Sequence, residues 1–272
     1  MSAYLTHDMI RSMAPSVYAT QPYHSMSDRY RFVPTSEVVD ILGEQGFLPV
    51  RAEQSRSRIE GKESFTRHML RFRRSTDLVT IGRDVGTEIP ELVLVNSHDG
   101  TSCYQFSAGV YRVVCRNGMI SRDSESRSEL SVKHKGGDNF SRQIIDVTAE
   151  VTVGMDRVMG QVATFKQISL PAPMQHAFAT AAAELRDNAN IVPAQLLSGR
   201  RREDRPMTHD GPRDLWTTMN VVQENMMQGG IRGRNPETGK RSTTRPIKSV
   251  DADVRTNKAL WLLAAEMAKL VS

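Results

Sequence analysis

Residues 92–121, LVLVNSHDGTSCYQFSAGVYRVVCRNGMIS, contain both cysteines of the chain, with His98 and Asp99 shortly before Cys103. A thiol, an imidazole and an orienting carboxylate are the parts of a nucleophilic site, which needs sulfur and base within hydrogen-bond reach. The local pattern argues for something simpler. Asp99-Gly100 is a hairpin dipeptide between two apolar runs, and an exposed turn supplies neither a pocket nor oxyanion donors. Cys115 alternates with Tyr111 and Val113 and reads as a small core residue. The expectation is a bend that sets register between strands, with no catalytic residue.

Metal and nucleotide chemistry find no motif. The histidines at 7, 24, 68, 98, 134, 176 and 209 are scattered, without the His-x-x-x-His or His-Glu-x-x-His spacing that puts two ligands on one helix face. No G-x-x-x-x-G-K-[ST] loop occurs, and no G-x-G-x-x-G follows a strand. No cofactor is therefore expected, and the chain reads as a non-enzyme.

The positive signal is cationic. Side chains of a strand alternate between two faces. In SFTRHMLRFRRS, Arg67, Arg71 and Arg73 fall on one face, opposite Leu70 and Phe72. In VYRVVCRNG, Arg112 and Arg116 oppose Tyr111, Val113 and Cys115. In LSVKHKG, Lys133 and Lys135 oppose Val132. Three strands would each offer an apolar face to a helix and a cationic face to phosphates. Arg51, Arg56, Arg58, Lys62 and Arg74 would extend the patch. A second basic region, with Arg200, Arg201, Arg202 and Arg205 and then Arg232, Arg234, Lys240, Arg241, Arg245 and Lys248, reads as mobile loops able to clamp a backbone.

The elements that must position these residues follow from period and punctuation. Residues 1–28, rich in Ser, Pro, His and Met, read as a flexible N-terminal arm. Thr35 or Ser36 caps a short helix, and strand-like segments follow at 47–58, 64–74, 91–97, 102–116 and 129–135. From Phe140 the apolar positions Ile144, Val147, Val151, Met155, Val158, Val162 and Phe165 step by three and four, which marks a long amphipathic helix. A second helix spans roughly 172–187, another lies near 213–228, and SVDADVRTNKALWLLAAEMAKLV is a terminal helix capped by Ser249. The fold expected is α+β: an antiparallel β-sheet with a long helix packed across one face and a helical C-terminal region. The divisions are arm 1–28, core 29–187, and 188–272 with basic loops and C-terminal helices.

Composition agrees with a soluble globular chain: 272 residues, 39% hydrophobic, 25% charged, net charge +5. Two cysteines build no disulfide framework, which favours reduced thiols in a cytoplasm. No apolar run reaches the roughly 18 residues of a membrane span, so no membrane partner is expected.

The Asn-Ser-His-Asp-Gly turn and the Cys-x-Asn-Gly-Met strand end resemble a phage- and plasmid-encoded family of unknown function, the YfjQ/YafZ type, over about residues 30–185. The resemblance implies mobile-element biology and DNA as a substrate. The element order, short helix, antiparallel strands, then a long helix, is similar to the core of single-strand annealing proteins of the Red-beta type, which implies oligomers holding DNA in a basic groove. Together these readings give a single-stranded DNA-binding or annealing protein of a recombination system, acting as a homo-oligomer through Arg67, Arg71, Arg73, Arg112, Arg116, Lys133 and Lys135. The alternative is a protein-binding inhibitor of a host restriction or defence enzyme, with a host protein as partner.

Overall fold

The computed structural model describes residues 4–26, 30–78, 88–113, 117–121, 130–133, 139–186, 190–201, 204–206, 211–235 and 238–271. The chain divides into two compact units, residues 1–158 and 159–272. The division falls inside the long helix.

The first unit is built on six antiparallel strands. β1 (Phe47–Gln54), β2 (His68–Arg74), β3 (Glu88–Asn96), β4 (Tyr104–Arg112) and β5 (Asn117–Ile120) follow one another across the sheet, and β6 (Leu130–Val132) pairs with the N-terminal half of β4. Helix α1 (His7–Met13) and a 3-10 turn at Pro15–Tyr18 precede α2 (Thr35–Glu44) and β1, and α3 (Ser75–Leu78) follows β2. Helix α4 (Phe140–Gln167) crosses one face of the sheet: Phe140 packs edge-on against Tyr104 at 5.5 Å between centroids, and Gly154 approaches Ala108.

Register decides which side chains share a face. Leu70 pairs with Leu94, which pairs with Phe106, so these and Phe72, Leu92, Ala108 and Val110 form the helix side. Arg71 pairs with Val93 and Val93 with Ser107, so Met69, Arg71, Arg73, Glu91, Val95 and Tyr111 lie on the other side. Both sides are buried at mid-sheet. A strand covered on both faces reads as a nearly continuous apolar run, and the LVLV of β3 fits that pattern.

The N-terminal arm is folded where it is described. Thr6 caps α1 by accepting from the Met9 amide, Ile10, Ala14 and Val17 are fully buried, and the Leu5 amide donates to the Pro49 carbonyl. Three apolar residues, at positions 10, 14 and 17, suffice to dock a short segment whose composition suggested mobility. Helix α2 also differs at its start. Pro34 occupies the N-cap, while Thr35 turns inward and is fully buried.

The second unit holds β7 (Ser169–Leu170), α5 (Ala172–Ala183), β8 (Asn190–Ile191), α6 (Pro193–Leu196), β9 (Arg213–Asp214), α7 (Leu215–Gln228), β10 (Arg232–Arg234), β11 (Arg241–Thr243) and α8 (Val250–Val271). Its core is aromatic: Trp261 lies 6.1 Å from Trp216 and 5.7 Å from Phe165 between ring centroids, and its Nε1 donates to Gln161 Oε1 at 3.0 Å. Asp214 caps α7 through the Thr217 amide at 2.7 Å. Gly229 ends the helix with φ +68, and a Cβ there would meet the Arg245 carbonyl carbon at 2.6 Å. Among the described residues no helix is long and apolar enough to cross a membrane.

Candidate nucleic-acid interface

The sheet arginines do not form an open cationic surface. Arg71 is 2% exposed and Arg73 8%. Both grip Glu91 of the neighbouring strand: Arg71 Nη1 donates to Oε2 at 3.1 Å, and Arg73 Nε and Nη2 reach Oε1 at 2.9 and 2.8 Å. Arg73 also stacks over Tyr111 at 4.0 Å. Arg71 extends further, donating to the carbonyls of Gly118 at 3.1 Å and Met119 at 3.3 Å. Its guanidinium fills the space a side chain at Gly118 would need, since a Cβ there would lie 2.5 Å from the guanidinium carbon. The one carboxylate opposite them lies on a different strand, so parity within β2 does not reveal it. A buried ion group of this kind ties strands β2, β3 and β5 together.

Arg112 corrects the reading a second time. It pairs with Glu88 and shares parity with Val110 and Ala108, on the side of the sheet away from Arg71 and Arg73. It too is buried, at 7% exposure. Parity orders residues within one strand, but only register relates two strands. Arg67 is half-buried and donates to the Thr101 carbonyl at 3.1 Å. Lys133 is exposed just beyond β6. Arg116, Lys135 and Arg202 lie outside the described residues.

Nor is His98 the exposed member of a turn. The turn itself forms as expected: Gly100 has φ +77, and Asp99 accepts from the Thr101 amide at 3.1 Å and hydroxyl at 2.6 Å. His98, however, is fully buried beside His68. Thr35 Oγ1 lies 2.9 Å from His68 Nε2 and 3.1 Å from His98 Nε2, and accepts from Asn96 Nδ2 at 3.0 Å. A hydroxyl has one proton and two acceptor sites. With Asn96 donating, the hydroxyl has one proton and one acceptor site left for its other neighbours, so the imidazoles of His68 and His98 compete for it. Ser16 Oγ approaches His68 Nδ1 at 2.8 Å. That distance suits a nucleophile and its base, but both residues are fully buried, and the Thr66 carbonyl lies 3.2 Å from the same nitrogen. The group joins the arm, α2, β2 and β3. His68 as a partner has no signal in its own segment.

Asp99 lies at the rim of this group, where Lys62 Nζ is 3.1 Å away. Burial would raise its pKa, but hydrogen bonds from Thr101 and Ser97 and contact with Lys62 outweigh that, and the carboxyl titrates below the usual range. Burial raises Tyr104, whose hydroxyl donates to the Val33 carbonyl at 2.7 Å, well above the ordinary phenol.

In the second unit the basic run separates into two groups. Arg201 forms a bidentate pair with Glu224 of α7, both contacts 2.6 Å, and Arg200 donates to Asn225 Oδ1 at 2.9 Å and to the Gly229 carbonyl at 3.1 Å. These two tether a loop to α7 and are not a mobile clamp. The later cations form structure instead of a loop. Pairing of Arg232 with Thr243 and Arg234 with Arg241 makes a hairpin, closed at its tip by the Asn235 side chain accepting from the Thr238 amide, and β8 pairs along its outer edge. By parity Arg232, Arg234, Arg241 and Thr243 share one face. All four are exposed, as are Lys240, Arg245 and Lys248 nearby. Among the described residues no carboxylate forms an ion pair with Arg232, Arg234 or Arg241. An open groove of about 840 Å³ runs along these strands, between them and Val192 and Pro193.

Comparison with known proteins places the chain. The domain of unknown function DUF932 matches residues 22–261. The chain belongs to the DUF932 family. Within it the chain is similar to UPF0380 protein YafZ of Escherichia coli strain K12, 40% identical over 263 residues that cover 96% of this chain and 90% of the relative. UPF0380 protein YfjQ of the same organism is 38% identical with the same coverage. No solved structure matches. The DUF932 match takes in the six-stranded sheet, the long helix and the cationic hairpin together.

Proposed function

We propose that this DUF932 protein binds single-stranded DNA in the cytoplasm through the face of β10 and β11 that carries Arg232, Arg234 and Arg241. The observation that supports the reading is the exposure of three guanidinium groups on one face with no carboxylate paired to them among the described residues. Unpaired surface cations are what polyphosphate recognition requires, because affinity comes from releasing counterions. Arg232 and Arg234, two positions apart on a strand, are about 7 Å apart, near twice the ~3.4 Å axial rise per nucleotide of one strand. Three strands at their usual spacing put about 10 Å between the outer backbones before side chains are added. That width fits poorly in a major groove about 12 Å across and suits one strand lying on the surface. With aromatics at 6% of the chain, contacts to the phosphate backbone supply the affinity, in place of base stacking.

Fluorescence anisotropy of a labelled oligonucleotide across a salt series tests this. Affinity should fall steeply with salt, and R232A/R234A/R241A should reduce the log–log slope by about 2, at about 0.7 per lost contact. Unchanged binding by the triple variant would remove the proposal. Binding only to a protein captured from host lysate would replace it with the inhibitor reading.

A further inference from the structure

Arg213, on the two-residue strand β9, is the most unusual arginine of the second unit. It is 7% exposed. Its Nη1 donates to the Leu197 carbonyl at 3.2 Å, its Nε is buried without an acceptor, and among the described residues no carboxylate forms an ion pair with it. Arg71 and Arg73, equally buried, share Glu91; among the described residues Arg213 has no such counterpart. Two described acids that attract it electrostatically also make contacts elsewhere. Asp204 contacts Arg201 at 3.4 Å, and Asp214 caps α7. Taking a guanidinium out of water without a paired anion is unfavourable, and burial depresses the pKa of this group against the opposing pull of Asp204 and Asp214.

Arg213 does not face a packed wall. It lines a pocket of about 580 Å³, within the range that holds small organic ligands. Arg205 and His176, both exposed, line the same pocket, and Ser198 adds a hydroxyl at its rim. Ala172, Leu197 and Pro206 supply apolar wall. Arg205 is held in place by donation from Nε to the Gly199 carbonyl at 3.2 Å. A Cβ on Gly199 would lie 2.9 Å from the Asp204 carbonyl oxygen, so this bend is closely packed. Two guanidinium groups, one buried and one exposed, with an imidazole beside them match a compact dianion; the pocket is several times larger than such a group, which leaves room for an organic body.

We propose that this pocket is a binding site for a phosphate monoester, with Arg213 and Arg205 as the phosphate ligands. Guanidinium forks bind tetrahedral oxyanions bidentately. The phosphate would add a counter-charge directly opposite Arg213. Its source is either a free nucleotide or the 5′-phosphate end of a nucleic-acid strand. The site stands independently of the hairpin reading.

The test uses the full-length protein, with inorganic phosphate, adenosine monophosphate and adenosine as probes in thermal denaturation and calorimetry. Phosphate and the monophosphate should raise Tm saturably, because a ligand bound only to the native state stabilises it by mass action. Adenosine should not. R213M should abolish the shift and R205A should weaken the monophosphate by about tenfold, while R232A/R234A/R241A should leave both intact. In calorimetry, a 5′-phosphorylated oligonucleotide that competes with the monophosphate identifies a strand end, and a 5′-hydroxyl one serves as its control; competition by neither identifies a free nucleotide. R205A changes an exposed residue and reads the site even if R213M fails to fold. No saturable shift in the wild type, or a shift unchanged in R205A, would overturn the proposal.

Discussion

At the scale of single residues, Thr35 is the clearest case of one oxygen serving several elements. Its hydroxyl meets His68, His98 and Asn96 in a fully buried setting. T35V keeps shape and removes the shared partner, leaving buried polar groups without one. Each orphaned group costs about 1–3 kcal/mol, so urea denaturation should show a loss of that order or more with little change in secondary structure. Asp99 gives a pH-dependent counterpart. Its folded pKa is below the ordinary value of 3.8, so its stabilisation is complete above that value and is lost as pH falls through the folded one. D99N should be less stable than wild type at neutral pH, and the gap should close on acidification below about 4. A gap constant with pH would show that the carboxylate charge contributes nothing.

At the scale of elements, the ion group Arg71–Glu91–Arg73 holds the centre of the sheet. Breaking a buried pair by removing one partner typically costs about 3–5 kcal/mol, because the other charge is left buried alone. E91Q should therefore lower the urea midpoint strongly. G118A should act through packing, since the added methyl would occupy the position of the Arg71 guanidinium, and R71M should partly restore G118A by vacating it. A double-mutant cycle measures that coupling. The long helix Phe140–Gln167 was legible because its apolar spacing holds over seven turns. The pairing of β2 with β3 was not, because each strand alone is consistent with several registers.

Across the whole molecule, the net charge of +5 conceals arginines in opposite settings. Arg71 and Arg73 are buried and share Glu91 within the sheet; Arg232, Arg234 and Arg241 are exposed on β10 and β11. The two should separate in experiment. E91Q should move stability and leave the salt slope of oligonucleotide binding unchanged, and the hairpin triple variant should do the reverse. Denaturation and anisotropy on the same preparations check both arms.

From its amino acids alone the chain is determined to be α+β, with a long amphipathic helix, a turn at Asp99-Gly100, and a terminal helix; Asn117-Gly118, a second turn dipeptide by type, lies instead within β5. These rest on interactions between residues close in sequence, whose periods of 2 and 3.6 are written directly in the order of side chains. Tertiary structure alone decided which charges meet water. Arg71 finds Glu91 twenty residues away, and His98 finds His68 through Thr35. The counter-charge of an arginine is set by strand register and burial, and both depend on contacts between distant segments that no local pattern records.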